Sequence, residues 1–174
     1  MKTHAIQIIS TLTSNEVFVF GSNASGFHGA GSAGYAFKGT SGNDWRDNPR
    51  CQAAIAATRT PGADPKDRVG NWTIWGQARG HMKGTIGQSY AIVTTERPGH
   101  KGNVTLNSIR NEVKALVEFA KAHPELKFLC SAFGLSRAYG GFSWFTLDEM
   151  RSVFADQERN GGIPDNVLIP TRFA

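Results

Sequence analysis

Apolar and polar positions along this chain alternate between two periods, one suited to strands and one to helices. Residues 4–10 (HAIQIIS) read as a first strand, residues 11–15 as a polar turn, and residues 16–20 (EVFVF) as a strand buried on both faces. A glycine-rich loop follows at once, then a helix-compatible run at 30–37 and a short helix at 51–58 (CQAAIAAT). Residues 59–70 are rich in Pro, Gly and Asp and read as a surface loop. Residues 71–75 (NWTIW) suit a strand, 76–87 are glycine-rich and basic, and 88–95 (QSYAIVTT) form the next strand. In residues 105–123, Leu106, Ile109, Val113, Leu116, Val117 and Ala120 fall on one helical face, and Pro124 stops the helix. Residues 127–133 (KFLCSAF) predict a core strand leading into a second glycine-bearing loop at 134–141. Thr146-Leu147-Asp148-Glu149 is a capping box that opens a helix to about Arg159, and residues 166–170 (NVLIP) close the chain as a last strand. Strands alternating with helices predict an α/β sandwich around a mixed or mainly parallel sheet. No linker or internal repeat divides the chain, so residues 1–174 read as a single domain.

Composition agrees with an ordered globular chain: 40% of the 174 residues are hydrophobic and 19% charged. The 20 glycines cluster in a few segments, which points to functional turns and away from a fibrous repeat. A net charge of +5 and a pI of about 9.5 lean toward anionic partners, although the same charge also serves ordinary solubility. Cys51 and Cys130 form no CxxC pair, so neither a zinc site nor a disulfide framework is expected, and a reducing cytosol suits them. No signal-peptide core opens the chain, and no apolar run approaches the ~18 residues of a membrane span. A soluble, cytoplasmic protein with no membrane partner is the expectation.

In α/β sheets, ligands bind beyond the carboxyl ends of the strands, where both glycine-rich loops lie. Glycine lets backbone N–H groups approach a phosphate, and a helix N-terminus beginning near Gly29 would add its positive dipole end. The second loop, Phe133 to Gly141, can close over the other side of the same diphosphate, with Tyr139 or Phe142 against a sugar or base. Neither loop has the Gly-Lys-Ser/Thr of a P-loop, and the dinucleotide fingerprint is not met. The bland alternative is two tight turns with no ligand.

His28 can act as a general acid or base near neutrality or donate to a phosphate, or it can simply order its loop. Asn23 can position a ribose or a water, or cap an Asx-type turn. Arg137 offers a bidentate phosphate contact, or is a solvated loop tip. Glu96, past a strand end, can activate water or be a surface carboxylate. His4, His81, His100 and His123 lack metal-ligand spacing, so no metal and no cofactor is assigned. Residues 71–83 interleave Trp72 and Trp75 with Arg79, His81 and Lys83. That pattern fits either a single-stranded nucleic-acid surface or tryptophans packing the 40–70 loop onto the sheet, or walling the adenine end of a pocket.

The motif Val17-Phe18-Val19-Phe20-Gly21-Ser22-Asn23, followed by His28-Gly29-Ala30-Gly31, resembles the shared opening of a macrodomain-like family of phage and bacterial proteins. Residues 86–92 (IGQSYAI) resemble the family's central strand, residues 128–140 its second loop, and 166–170 its last strand. The resemblance runs in order over nearly the whole chain. It implies a three-layer α/β/α sandwich with a mixed sheet that holds ADP-ribose between two loops. By that analogy Gly21, Ser22 and Asn23 line the ligand, with Asn23 hydrogen-bonding the ribose beside the scissile C1″ bond and His28 facing the same reactive end. Gly29, Ala30 and Gly31 would present N–H groups to the diphosphate or distal ribose. Gly134, Leu135, Ser136, Arg137, Ala138, Tyr139 and Gly140 would clasp the phosphates. Two features depart from the family: the second loop, GLSRAYGGFSW, is longer and bulkier than usual, and residues 11–15 lack the aspartate expected near the adenine.

The functions that follow are binding of ADP-ribose or a related nucleotide diphosphate with hydrolysis of an ADP-ribosyl linkage, on a macromolecule or a small molecule, or non-catalytic reading or sequestration of an NAD-derived signalling nucleotide. A less favoured reading is single-stranded nucleic-acid binding.

Overall fold

A computed structural model of the chain describes residues 1–6, 9, 11–28, 31–38, 75, 84–135 and 144–174. Its strands are β1 (Lys2–His4), β2 (Glu16–Asn23), β3 (Gly84–Ile86), β4 (Ser89–Thr95), β5 (Lys127–Cys130) and β6 (Val167–Pro170). Its helices are α1 (Gly31–Lys38), α2 (Leu106–Ala122) and α3 (Leu147–Gly161), with a 3₁₀ turn at Thr171–Phe173. Among the described residues the strands form one six-stranded sheet in the order β1-β6-β5-β2-β4-β3. Every pairing is parallel except the antiparallel β3–β4 edge, so the sheet is mixed and the fold is α/β.

Side chains alternate across a strand, and β2 sends apolar residues both ways. Val17 and Val19 join α2 residues such as Val113 and α3 residues such as Phe154 in one core. Phe18 and Phe20 join Ala33 and Ala36 of α1, together with Trp75, in a second core. Helical residues therefore cover both faces of the central strand. Phe133, Phe154 and Phe173 stack at one end of the first core.

The helix ends follow the sequence closely. Thr146 caps α3, accepting from the Glu149 amide at 3.2 Å while Glu149 accepts from the Thr146 amide at 2.7 Å. Thr105 and Ser108 make the equivalent box on α2. Arg110 joins the two helices, donating to Asp156 at 2.9 Å and to Ser152 at 3.2 Å.

Several boundaries differ from expectation. The first strand is Lys2–His4, and residues 5, 6 and 9 lie outside it. The reason is its partner: His4 is opposite Pro170, where β6 ends and the chain turns into the 3₁₀ segment. The ring of His4 then takes over, its Nδ1 accepting from the Ile6 amide at 3.2 Å. Strand β2 runs three residues further than predicted, because β4 continues beside it to the Asn23–Thr95 pair across a bulge. Strand β5 stops at Cys130 instead of residue 133, leaving the sheet after the Ser131 amide donates to the Val19 carbonyl at 2.8 Å. The glycine-rich 76–87 stretch supplies an unforeseen edge strand, β3. Trp75 is not in a strand, although its amide and carbonyl bond Ala36 and Gln88. The helix expected at 51–58, the loop at 59–70 and residues 71–74 lie outside the described residues.

The Asn166 amide nitrogen lies within hydrogen-bond distance of three carbonyls at the end of α2 and beyond it, Ala120 at 3.0 Å, His123 at 3.1 Å and Leu126 at 2.9 Å. It ties the helix exit to the start of β6. Replacing Asn166 by Ala leaves buried carbonyls without this donor, and urea unfolding is expected to show a loss of about 2 kcal/mol. An unchanged midpoint would mean that water replaces the amide.

Candidate functional site

A cavity of about 370 Å³ opens beyond the carboxyl ends of β5 and β6. Ile6 and Ile9 reach it from the exit of β1, Phe18 from β2, and Gly31, Ser32 and Tyr35 from the start of α1. Cys130, Ser131, Ala132 and Leu135 wall it from the exit of β5, and Pro170 and Arg172 from the exit of β6. The two glycine-rich segments thus meet on one concavity, because α1 follows β2 and β2 lies beside β5. The volume falls within the range of small-molecule clefts.

Of the residues expected to bind ligand, Gly31 and Leu135 line this cavity. Gly31 has φ +58°, with open space where a Cβ would stand, so its backbone conformation favours glycine and nothing crowds it. Gly134 has φ +79°, and a Cβ there would lie 2.7 Å from Met150 Sδ, so the second loop must carry glycine at its turn. Gly21 is crowded instead: a Cβ would meet Thr94 Oγ1 at 3.1 Å and Phe133 Cβ at 3.2 Å. Its small size lets the second loop cross directly over the end of β2. Gly29, Ala30, Ser136, Arg137, Ala138, Tyr139 and Gly140 lie outside the described residues.

Ser22, Asn23 and His28 are buried and do not line the cavity. Asn23 Oδ1 accepts from the Phe27 amide at 3.0 Å and the Ser25 hydroxyl at 2.6 Å, while its Nδ2 donates to the Phe27 carbonyl at 2.8 Å. That side chain folds the 23–27 turn. His28 is 0% exposed, its Nε2 2.9 Å from Ser22 Oγ and its ring edge-to-face with Phe20. As placed, both candidate catalytic side chains hold the loop together. The Ser22 carbonyl accepts from Thr94 Oγ1 at 3.3 Å, which binds the turn to β4.

Glu96 lies elsewhere. It borders a separate concavity of about 250 Å³ with Ala24, Asn103 and Glu112, and its carbonyl accepts from the Ser25 amide at 3.0 Å. Beside that site, burial and then the neighbouring Glu112 carboxylate push the Tyr90 phenol up to about 12. Cys130 borders the main cavity at the exit of β5, but its side chain is buried in the first core, and that burial pushes its thiol pKa well up, so the sulfur stays protonated. Trp75 is 1% exposed and packs edge-on against Phe18 at 4.7 Å; it neither lines the cavity nor offers a stacking face to solvent.

The polar character of the cavity is one-sided. Ser32, Tyr35, Ser131 and Arg172 bring hydrogen-bond donors, and among the described residues no carboxylate lines it. Acidic residues are sparse in the segments that wall it: residues 1–15, 17–43, 126–147 and 166–174 contain neither Asp nor Glu, and Glu16, at the start of β2, accepts from Lys127 Nζ at 3.0 Å. The Ser131 hydroxyl is buried with no hydrogen-bond partner among the described residues. The same residues hold no group of three or more His, Cys, Asp or Glu suited to a metal ion, and no helix long and apolar enough to cross a membrane.

Sequence reasoning missed Ile6, Ile9, Phe18, Ser32, Tyr35, Ser131, Ala132, Pro170 and Arg172 as cavity residues. The signal that could have found many of them is position, since strand exits in a parallel sheet share one edge. Comparison with protein-family models, curated proteins and solved structures finds no match to the chain.

The Asn23 turn makes its own prediction. Asn23→Ala removes both acceptor and donor, is expected to cost about 1–3 kcal/mol in urea unfolding, and should speed amide exchange at Phe27. Asn23→Asp keeps the acceptor and should fall between. Equal exchange at Phe27 in all three proteins would show that the turn closes without this side chain.

Proposed function

We propose that this chain binds ADP-ribose or a related ADP-ribosyl nucleotide, within a macrodomain-like three-layer α/β/α sandwich, in the cleft between its two glycine-rich loops. One observation carries the reading: a single cavity is walled by the start of α1 and the exit of β5, rich in donors and, among the described residues, without a carboxylate. A diphosphate suits such a lining. The helix N-terminus contributes its dipole end and free amides, and no like charge opposes the ligand. The apolar wall of Ile6, Ile9, Phe18 and Pro170 gives a base or sugar a dry surface.

Binding without turnover is favoured over hydrolysis of an ADP-ribosyl linkage. General base catalysis needs a group in reach of the attacking water. Asn23 and His28 are engaged inside their loop, Glu96 borders a different concavity, and the Cys130 thiol is protonated. The role that follows is a reader of an ADP-ribosylated macromolecule, or a sequestering protein for an NAD-derived signalling nucleotide. Single-stranded nucleic-acid binding draws less support, because Trp75 is in the core.

Calorimetry with ADP-ribose is expected to give a micromolar Kd that changes little between 50 and 200 mM salt. Affinity no better than about millimolar rejects the reading. A steep fall with salt, on the order of 10³-fold, points instead to many phosphate contacts along a nucleic acid. At a hundred times its Kd the ligand should add about 2.7 kcal/mol of stability. Incubation with an ADP-ribosylated protein is expected to release no ADP-ribose.

The unpartnered Ser131 hydroxyl supplies a sharper check. Ser131→Ala should leave stability unchanged or slightly higher, since it removes a buried polar atom without a partner. The same variant should keep its ADP-ribose affinity within about twofold, since the oxygen is sealed from the cavity. A large loss of affinity would mean that the loop opens to let the hydroxyl meet the ligand.

A further inference from the structure

Among the described residues Arg172 is the charged one in the cavity lining, and it comes from the 3₁₀ turn after β6, not from either loop. Its backbone is held firmly. The carbonyl of Arg172 accepts from Arg151 Nε at 2.9 Å, Thr171 Oγ1 donates to the His4 carbonyl at 2.9 Å, and Phe173 is 1% exposed in the aromatic stack. The guanidinium, by contrast, has no hydrogen bond or ion pair among the described residues. An exposed arginine on a fixed backbone, at a cavity whose described lining holds no carboxylate, is a donor set suited to an anion.

Sheet order sets where that anion must lie. Strand β6 is separated from β2 by β5 alone, and α1 follows β2. At about 4.8 Å per strand, the exits of β6 and β2 are roughly 10 Å apart. Among the described residues the cavity therefore has two positive ends, the start of α1 and Arg172, with Ile6, Ile9 and Pro170 also in its wall. One diphosphate occupies one of them.

We propose that Arg172 holds a second phosphate, so that the preferred ligand is an ADP-ribosyl nucleotide carrying a phosphate monoester on its adenosine ribose. This rests on the nucleotide reading of the cavity.

The test is calorimetry of ADP-ribose and of its 2′- and 3′-phosphorylated forms on the full chain, with Arg172→Gln and Arg172→Lys as variants. Wild-type protein should bind one phosphorylated form at least tenfold tighter than ADP-ribose. Arg172→Gln should abolish that gain, costing the phosphorylated form at least tenfold more affinity than it costs ADP-ribose, and Arg172→Lys should keep part of it. The gain should shrink as salt rises, since the guanidinium is exposed. Wild-type binding of ADP-ribose with no gain from either phosphate, or a gain that survives Arg172→Gln, overturns the assignment and leaves the nucleotide reading intact. Failure of all three ligands to bind overturns both.

Discussion

Everything in this fold depends on a strand that is dry on both sides. Val17, Phe18, Val19 and Phe20 of β2 are between 0% and 4% exposed, and they alternate between two cores. Burying each is worth roughly 1.5–3 kcal/mol, so the strand is stable only if apolar elements cover both of its faces. That demand puts α1 and Trp75 on one side and α2 and α3 on the other. It also requires partners along both edges, and β5 and β4 supply them in parallel. Parallel neighbours need crossover connections, so the chain leaves β2, β5 and β6 at one edge of the sheet.

The cavity is a by-product of that shared edge. Segments far apart in sequence exit side by side, and the gap between them is filled by short side chains and turns. Gly21 shows how close the approach is, since the second loop passes over it at a distance that a Cβ would obstruct. The glycine density that marks these loops therefore has more than one cause. Gly21 serves packing, Gly134 serves a left-handed turn pressed against Met150, and Gly31 alone faces the open cavity.

Charge then narrows what the cavity can do. Among the described residues the lining brings hydroxyls and a guanidinium and no carboxylate, a set that suits an anion. The polar groups that looked most reactive in the sequence have found partners inside the 23–28 turn, where burial makes an unpaired amide costly. Their role in positioning the loop is compatible with ligand binding and does not depend on chemistry at their own atoms.

How much was legible beforehand varied with how local the cause is. The α2 boundaries followed from periodicity and Pro124, and the start of α3 from the Thr146–Glu149 capping box, because a cap is satisfied by residues three apart. The doubly buried β2 was equally plain from its apolar run. Boundaries set by a distant partner were not: β1 ends early because Pro170 ends β6, and β2 runs on because β4 does. The sequence by itself determined the α/β alternation, the position of two glycine-rich turns after core strands, and a basic chain poor in acids around them. Only the tertiary structure decided that Asn23 and His28 turn inward, that Glu96 belongs to another concavity, and that Ile6, Ser131 and Arg172 share a cavity. The physical reason is that a cavity wall is set by strand order in the sheet, and strand order is a property of long-range packing that no local pattern encodes.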